Sequence, residues 1–315
     1  VPSYTFVATA HALQWQQIKP VFADIDTATH NLDPGAVEAM ITERTSGIIG
    51  VHLWGRPAPI AALSDIARRH QIKLLFDAAH AFGCTHGGRA IGNFGECEVF
   101  SFHATKVFNT FEGGAVCTNN KALADKMRLM RNFGFAGYDN VIHAGTNGKM
   151  SEVEAAMGLV NLSEVDGFIA INERNYRAYC EQLAAVPGLR CIEYPAAESN
   201  NFQYMIVEVE DDCALSRDQV VAVLNAENIF ARRYFWPACH RMSPYRELQP
   251  EAGRVLPRTE ALAERVFSLP TGSSIGPAEV ADICTILGRI CDPAFGPVDL
   301  SATGADDVVP RRRSA

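Results

Sequence analysis

Lysine is scarce in this chain. Only six are present among 315 residues, and the formal net charge is −8. A chain of that balance lacks the basic footprint that binding to a nucleic-acid backbone requires. No stretch reaches the roughly 18 consecutive apolar residues of a spanning helix, so a membrane segment is not expected. The opening Val1-Pro2-Ser3-Tyr4-Thr5-Phe6 has no basic segment followed by an apolar run, so it does not read as a secretory signal. It also lacks an initiator Met and opens on what reads as the end of a strand, from which upstream residues are expected. The nine cysteines contain no C-x-x-C pair. They make a poor disulfide framework and a poor zinc site, and reduced thiols in a cytoplasmic protein are expected. Gly83, Gly87, Gly88, Gly92 and Gly95 fit neither G-x-G-x-x-G nor G-x-x-x-x-G-K-[ST]. A dinucleotide fingerprint and a P-loop are therefore unsupported, and those glycines are assigned to turns.

What the chain does have is a core. Hydrophobic residues make up 48% and charged residues 20%, the composition of a globular protein with room for a large domain and a smaller one. Short apolar runs alternate with helical patterns through the first half. Strands are expected at 20–24, 47–52, 72–77, 98–102 and 115–118. Helices are expected from Asp33-Pro34 to about Ile41, from Pro59 to His70, and from Lys121 to Asn132. Such interleaving implies an α/β fold with a mostly parallel sheet covered on both faces. Its ligands sit beyond the carboxyl ends of the strands. Residues 134–148 read as a Gly-rich loop, and Ser151 with Glu154 as a capping box opening a helix to about Leu183. A strand at 204–208 and helices at 216–228 and 277–290 give the second half an α+β character. The expected boundaries are 1–165 for the large domain, 166–292 for the small one, and a disordered tail at 293–315.

Of the six lysines, Lys106 stands apart. Phe100-Ser101-Phe102-His103-Ala104-Thr105 precedes it and Val107-Phe108 follows. Burial lowers a lysine pKa, as a Schiff-base nucleophile requires. A lysine whose stem lies along apolar surface while its head reaches water fits the same context. Asp77 ends the apolar run Leu74-Leu75-Phe76 and is followed by Ala78-Ala79-His80. That places a carboxylate in the ligand crevice, where it can keep a pyridine nitrogen protonated, although a helix N-cap would use the same residue. A metal set of Asp77, His80, His86 and His103 matches no standard spacing, so no metal is expected. Ser101 and the Gly113-Gly114 turn are candidate phosphate donors. Arg232-Arg233-Tyr234-Phe235-Trp236-Pro237 mixes cations with rings as a nucleotide-sugar site does, and an ordinary strand edge does the same.

Four segments in order resemble one family. They are Pro2 to Ala10, Phe76-Asp77-Ala78-Ala79-His80-Ala81, Ser101 to Lys106 continuing through Ala115, and Gly145-Thr146-Asn147-Gly148-Lys149-Met150-Ser151-Glu152. Over residues 1 to about 290 the chain is similar to the DegT-type sugar aminotransferases, enzymes of fold type I that depend on pyridoxal 5'-phosphate. The resemblance implies a three-layer cofactor-binding domain and a smaller C-terminal domain. It assigns covalent attachment of the cofactor to Lys106, the pyridine nitrogen to Asp77, stacking on the ring to Phe6, the neighbourhood of the ring hydroxyl to His80, and the phosphate to Ser101. Asn147 or Lys149 is implied to reach the neighbouring subunit's phosphate in a homodimer with shared active sites. His103, Lys149, Arg232, Tyr234 and His240 fall where the substrate is held. The implied reaction moves an amino group from an amino acid, glutamate by expectation, to a nucleotide-linked keto sugar such as a dTDP-4-keto-6-deoxyhexose. A Gly-Thr or Gly-Ser phosphate turn is implied upstream of Val1. A dehydratase of the same family carries histidine where Lys106 stands, which argues against that chemistry. A catalytically silent, cofactor-sensing or scaffold relative is the competing expectation.

Overall fold

A computed structural model describes residues 1–292; the tail expected at 293–315 lies outside the described residues. By internal contacts the chain divides into two compact units. Among the described residues, the first holds 1–170, 194–203 and 237–260; the second holds 171–193, 204–236 and 261–292.

The first unit is built on a four-stranded sheet. In chain order its elements are helix α1 (Ala8–Trp15), helix α2 (Pro34–Met40), strand β1 (Gly47–Val51), helix α3 (Ile60–His70), strand β2 (Lys73–Asp77), the hairpin β3 (Thr85–His86) and β4 (Arg89–Ala90), strand β5 (Cys97–Ser101), strand β6 (Gly114–Cys117) and helix α4 (Lys121–Met130). A second hairpin, β7 (Phe135–Gly137) and β8 (Asn140–Val141), leads to the long helix α5 (Glu152–Leu183). The sheet order is β1-β2-β5-β6. β1, β2 and β5 run parallel, and β6 returns antiparallel to β5. Side chains alternate across the pleat. Ile48, Leu74, Phe76 and Phe100 point to a face closed by Leu63, Ile66 and Ala67 of α3. On the other face Val99 and Val116 remain 43% and 46% exposed. At the β5–β6 pairing, a Cβ on Gly114 would stand 2.6 Å from the Phe100 carbonyl oxygen, so glycine is required for the strands to close.

Most elements fall where the periodicity places them, and the caps explain their ends. Asp33 accepts the Gly35 amide at the start of α2 with Pro34 at the first helical position. Ser151 and Glu154 exchange hydrogen bonds at the start of α5, as that spacing requires. Two expectations fail. Residues 20–24 form no strand, because their backbone finds only isolated bridges, Pro2 with Ala23 and Ile25 with Leu32. The side chain of Asp24 is instead held by the amides of Arg258 and Thr259 and by the Thr259 hydroxyl. Residues 134–148 are not a plain loop, since they fold back as the short β7–β8 hairpin with a bridge between Asn132 and Asn147.

The second unit contains the antiparallel sheet β11-β10-β9, from Val266–Leu269, Met205–Val209 and Leu189–Cys191. Val220 and Leu224 of α6 (Arg217–Ala226), Tyr179 and Leu183 of α5, and Val280, Ile283 and Leu287 of α9 (Pro277–Ile290) close its core. The short helices α7 (Tyr245–Leu248) and α8 (Pro257–Ala263) lie between α6 and β11 along the chain.

One buried polar pair fixes the strand ends of the first unit. His52 and Glu98 have fully buried side chains, with Nε2 and Oε1 2.8 Å apart. His52 Nδ1 accepts the Ala58 amide at 2.9 Å, so its proton lies on Nε2 and is donated to Glu98. The other Glu98 oxygen accepts the amides of Gly92 and Phe94. Removing the carboxylate strips three donors of their acceptor, the buried His52 ring and the part-buried Gly92 and Phe94 amides. Glu98→Ala is expected to destabilise the protein by about 3 kcal/mol or more, measured as a lower denaturant midpoint. An unchanged midpoint would contradict this bonding.

Candidate active site

At the carboxyl edge of the sheet, β2 ends on Asp77 and β5 ends on Ser101. Parallel strands end with side chains projecting past the sheet, so both point toward the crevice between strand ends and following loops. Asp77 is held from two sides. Its Oδ2 accepts the Thr9 hydroxyl at 2.7 Å, and its Oδ1 accepts the Ala79 amide at 3.0 Å. Thr9 is itself in line with Thr5, whose hydroxyl oxygen lies 3.3 Å from its own. The Asp77 carbonyl accepts the His52 amide at 2.9 Å. The carboxylate therefore has a fixed plane.

Thr9, Asp77 and Ser101 are the polar residues on the wall of a cavity of about 310 Å³, with Ala8, Ala12, Ile49, Leu75 and Val99 among its apolar lining. An apolar slot with a few polar groups is what a flat heteroaromatic ring needs, and its volume falls within the small-molecule range. The residues present fit pyridoxal phosphate: Asp77 suits a protonated ring nitrogen, and Ser101 suits an oxyanion. Ser101 Oγ at present accepts the His103 amide at 3.3 Å.

Lys106 follows in the loop between β5 and β6. Phe102, Val107 and Phe108 around it are buried. Phe82 stacks on Phe108 at 4.5 Å between centroids, and Phe102 meets Phe108 edge-on at 4.7 Å. The loop closes on itself where Thr110 N donates to the Phe102 carbonyl at 2.9 Å, and Asn161 of α5 holds the Asn109 carbonyl at 2.8 Å. Burial among these rings pushes the Lys106 ammonium down to about 8, with the Asp77 carboxylate pulling the other way. Lys106 is not among the residues lining the cavity, but it shares an electrostatic field with Asp77 and His80.

His80 is buried, and its pKa lies well below the usual imidazole range, first through burial and then through the Lys106 charge. It is neutral at pH 7. Nδ1 accepts the Trp54 amide at 3.3 Å, which leaves the proton on Nε2. The Trp54 ring stacks on it at 5.9 Å. Burial and a neutral ring make His80 a hydrogen-bond donor without a charge.

The other expected site residues lie apart from this cavity wall. Phe6 is 59% exposed. His103 is exposed, with Nδ1 2.9 Å from the Thr105 hydroxyl and Nε2 3.7 Å from Glu112. Lys149 donates to Asn147 at 2.6 Å and Asn132 at 3.1 Å, on exposed surface. His240 is 4% exposed, and both ring nitrogens are engaged, by Ser3 at 2.7 Å and Glu260 at 3.1 Å. Burial lowers its pKa. In the second unit, Arg232 donates to the Tyr234 hydroxyl at 3.1 Å, and its backbone bridges to Ser268. Sequence reasoning missed Thr9. Its signal, a Thr-x-x-x-Thr spacing in Thr5 to Thr9, has meaning only once Asp77 is beside it.

An apolar slot at strand ends, a fixed carboxylate and a desolvated lysine are the apparatus of a pyridoxal-phosphate aminotransferase of fold type I. The chain belongs to the DegT/DnrJ/EryC1/StrS aminotransferase family, whose profile matches residues 1–288. It is 40% identical over 269 residues to a dTDP-4-amino-4,6-dideoxy-D-glucose transaminase of Shigella dysenteriae, covering 85% of this chain and 72% of that protein. It is 33% identical over 293 residues to a GDP-perosamine synthase of Caulobacter vibrioides, covering 92% and 78%. A crystal structure of DesI in the presence of its TDP-sugar product superposes with a TM-score of 0.88 at 48% identity, over 93% of this chain and 74% of that one.

The lowered lysine has a direct readout. The rate at which cofactor-free protein captures an aldehyde follows the amine form, so it is expected to rise with pH through a midpoint near 8. Asp77→Asn removes the charge that favours the ammonium and is expected to move that midpoint lower still. A rate that climbs only toward about pH 10, the value of a solvated lysine, would contradict the desolvated site.

Proposed function

We propose that this chain transfers an amino group from glutamate to a dTDP-linked 4-keto-6-deoxyhexose, with Lys106 as the residue that carries the cofactor. The observation that supports it is the lysine lowered to about 8 within the field of Asp77, the carboxylate on the wall of the apolar cavity. The sugar and nucleotide follow the Shigella dysenteriae transaminase and the DesI structure, both similar to this chain. The GDP-sugar relative makes the guanine nucleotide the alternative outcome of the test.

When bound, pyridoxal phosphate supplies the electron sink that stabilises a carbanion beside the transferred nitrogen. The chain's own residues do the rest. Asp77, immobilised by Thr9 and the Ala79 amide, keeps the proton on the ring nitrogen. His80 would offer its neutral Nε2–H to the ring hydroxyl, Ser101 would hold the phosphate, and Phe6, exposed and off the cavity wall, would cover one face of the ring. With its pKa near 8, Lys106 Nζ would both accept and release a proton at neutral pH, which suits it to serve as the mobile base beside the ring. Within the first unit, His103 and His240 are assigned to the nucleotide-sugar side.

We assign the working form to a cytoplasmic homodimer in which Asn147 and Lys149 reach the partner's phosphate. Support comes from the apolar residues left exposed on the first half of α5, Val153, Leu159, Val160 and Leu162, and from the β7–β8 hairpin beside Asn147. Large exposed apolar patches mark interaction surfaces. Among the described residues no helix is long and apolar enough to cross a membrane.

With glutamate and a panel of dTDP- and GDP-linked keto sugars, the dTDP-4-keto-6-deoxy sugar is expected to gain the mass change of oxygen replaced by an amino group. Lys106→Ala is expected to lose the visible absorbance of the lysine-bound cofactor and about a thousandfold or more in rate. Retained absorbance with no aminated sugar in the panel would favour a silent relative instead.

A further inference from the structure

The segment Asn200 to Gln203 belongs to neither the sheet nor the catalytic loops, yet it is bonded to both loops that carry the candidate chemistry. Asn201 is fully buried. Its Nδ2 donates to the carbonyls of His80 at 2.8 Å and Phe82 at 2.9 Å, and its Oδ1 accepts the Gln203 amide at 3.1 Å. Gln203 then turns to the lysine loop. Its Oε1 accepts the Val107 amide at 3.1 Å, and its Nε2 donates to the Thr105 carbonyl at 3.0 Å. Thr105 and Val107 are the two neighbours of Lys106. One side-chain amide thus makes paired hydrogen bonds to the peptide units on either side of the lysine, as a neighbouring strand would.

This arrangement has a physical consequence. The loop from Phe102 to Gly113 lies outside β5 and β6, so no ladder fixes the Lys106 backbone. Its local bonds are Lys106 N to the His103 carbonyl at 2.9 Å and Asn109 Nδ2 to the Lys106 carbonyl at 3.3 Å. A lysine that must both hold a cofactor and move a proton between two positions needs a fixed root under a mobile tip. The two Gln203 bonds supply the root. Asn201, two residues earlier, sets the carbonyl of His80, the neutral donor of the same site.

We propose that Asn201 and Gln203 form a bracket that positions Lys106 and His80, with Gln203 the positioning residue for the lysine. The proposal rests on the reading that Lys106 carries the cofactor. Neither residue reaches the reacting atoms. Gln203 acts through the peptide groups of Thr105 and Val107.

The test uses the full-length enzyme loaded with cofactor. Gln203→Met keeps the length of the side chain and removes both hydrogen bonds. Gln203→Glu keeps the acceptor for Val107 N–H and loses the donor to Thr105. Thr85→Val is the control, because Thr85 grips the same segment at Ser199 and Glu198, away from the lysine. Gln203→Met is expected to shift the pH midpoint of the lysine-bound cofactor absorbance. It is also expected to lower kcat about tenfold, the equivalent of roughly 1.4 kcal/mol, with KM for the sugar little changed. Gln203→Glu should fall between it and the wild type, and Thr85→Val should titrate like the wild type. If Gln203→Met and the wild type share one midpoint and one kcat, the bracket is wrong. An equal shift in Thr85→Val would assign the effect to general loosening and overturn it too. Should Gln203→Met fail to fold, Gln203→Glu carries the same comparison. Lys106→Ala separates the two levels: if it retains the wild-type absorbance, the cofactor assignment has failed rather than the bracket.

Discussion

Removing an ammonium from water is costly, and the first unit arranges that cost at one place. Lys106 sits in the loop with the buried Phe102, Val107 and Phe108; the Asp77 carboxylate favours its charge, and the balance falls on the side of burial. Everything else near the strand ends is compatible with that choice. His80 gives up its own charge through burial first and the lysine's field second, so it adds no cation beside Lys106. Thr9 and the Ala79 amide fix the Asp77 carboxylate, and apart from Thr9, Asp77 and Ser101 the slot between α1 and the sheet is lined by apolar residues. A more solvated lysine would be a poor nucleophile at neutral pH. One without Asp77 nearby would sit beside a cofactor ring lacking its proton.

The sheet places these groups, and buried polar contacts hold the sheet's ends. His52 links the end of β1 to Asp77 through its backbone amide and to Glu98 through its ring. Glu98 in turn gathers the amides of Gly92 and Phe94 on the approach to β5. The end of β2 that carries Asp77 is thereby tied through His52 to the start of β5 at Glu98. Rigidity is bought with satisfied polar groups, which contribute geometry more surely than net stability.

How much of this was legible in the sequence depended on the range of the interaction. Local patterns carried the parallel strands, α2, α3, α5 and α9, because apolar periodicity and caps such as Asp33 and Ser151 act within one turn. Asp77 and Lys106 were readable because an acid ending an apolar strand and a lysine inside an aromatic run conflict with their surroundings. The apolar run near Phe22 misled, since a strand also needs a partner, and only single bridges formed there. The Gly-rich stretch after Phe133 hid a hairpin for the opposite reason: its glycines pointed to a loop, while two short pairings sufficed to fold it. Asn201 and Gln203 carried no signal, and the Thr5–Thr9 spacing means nothing before Asp77 is placed beside it. The partners of Thr9, Asn201 and Gln203 lie 68, 121 and 96 residues away, and a threonine or an amide looks ordinary until the fold brings a carboxylate or a catalytic loop to it.

The most direct measurement of the central claim is chemical trapping. Reducing the cofactor-loaded protein with borohydride and mapping the modified peptide by mass spectrometry should place the adduct on Lys106. An adduct on Lys73, Lys149 or another lysine, or no adduct at all in protein that retains its visible absorbance, would contradict it.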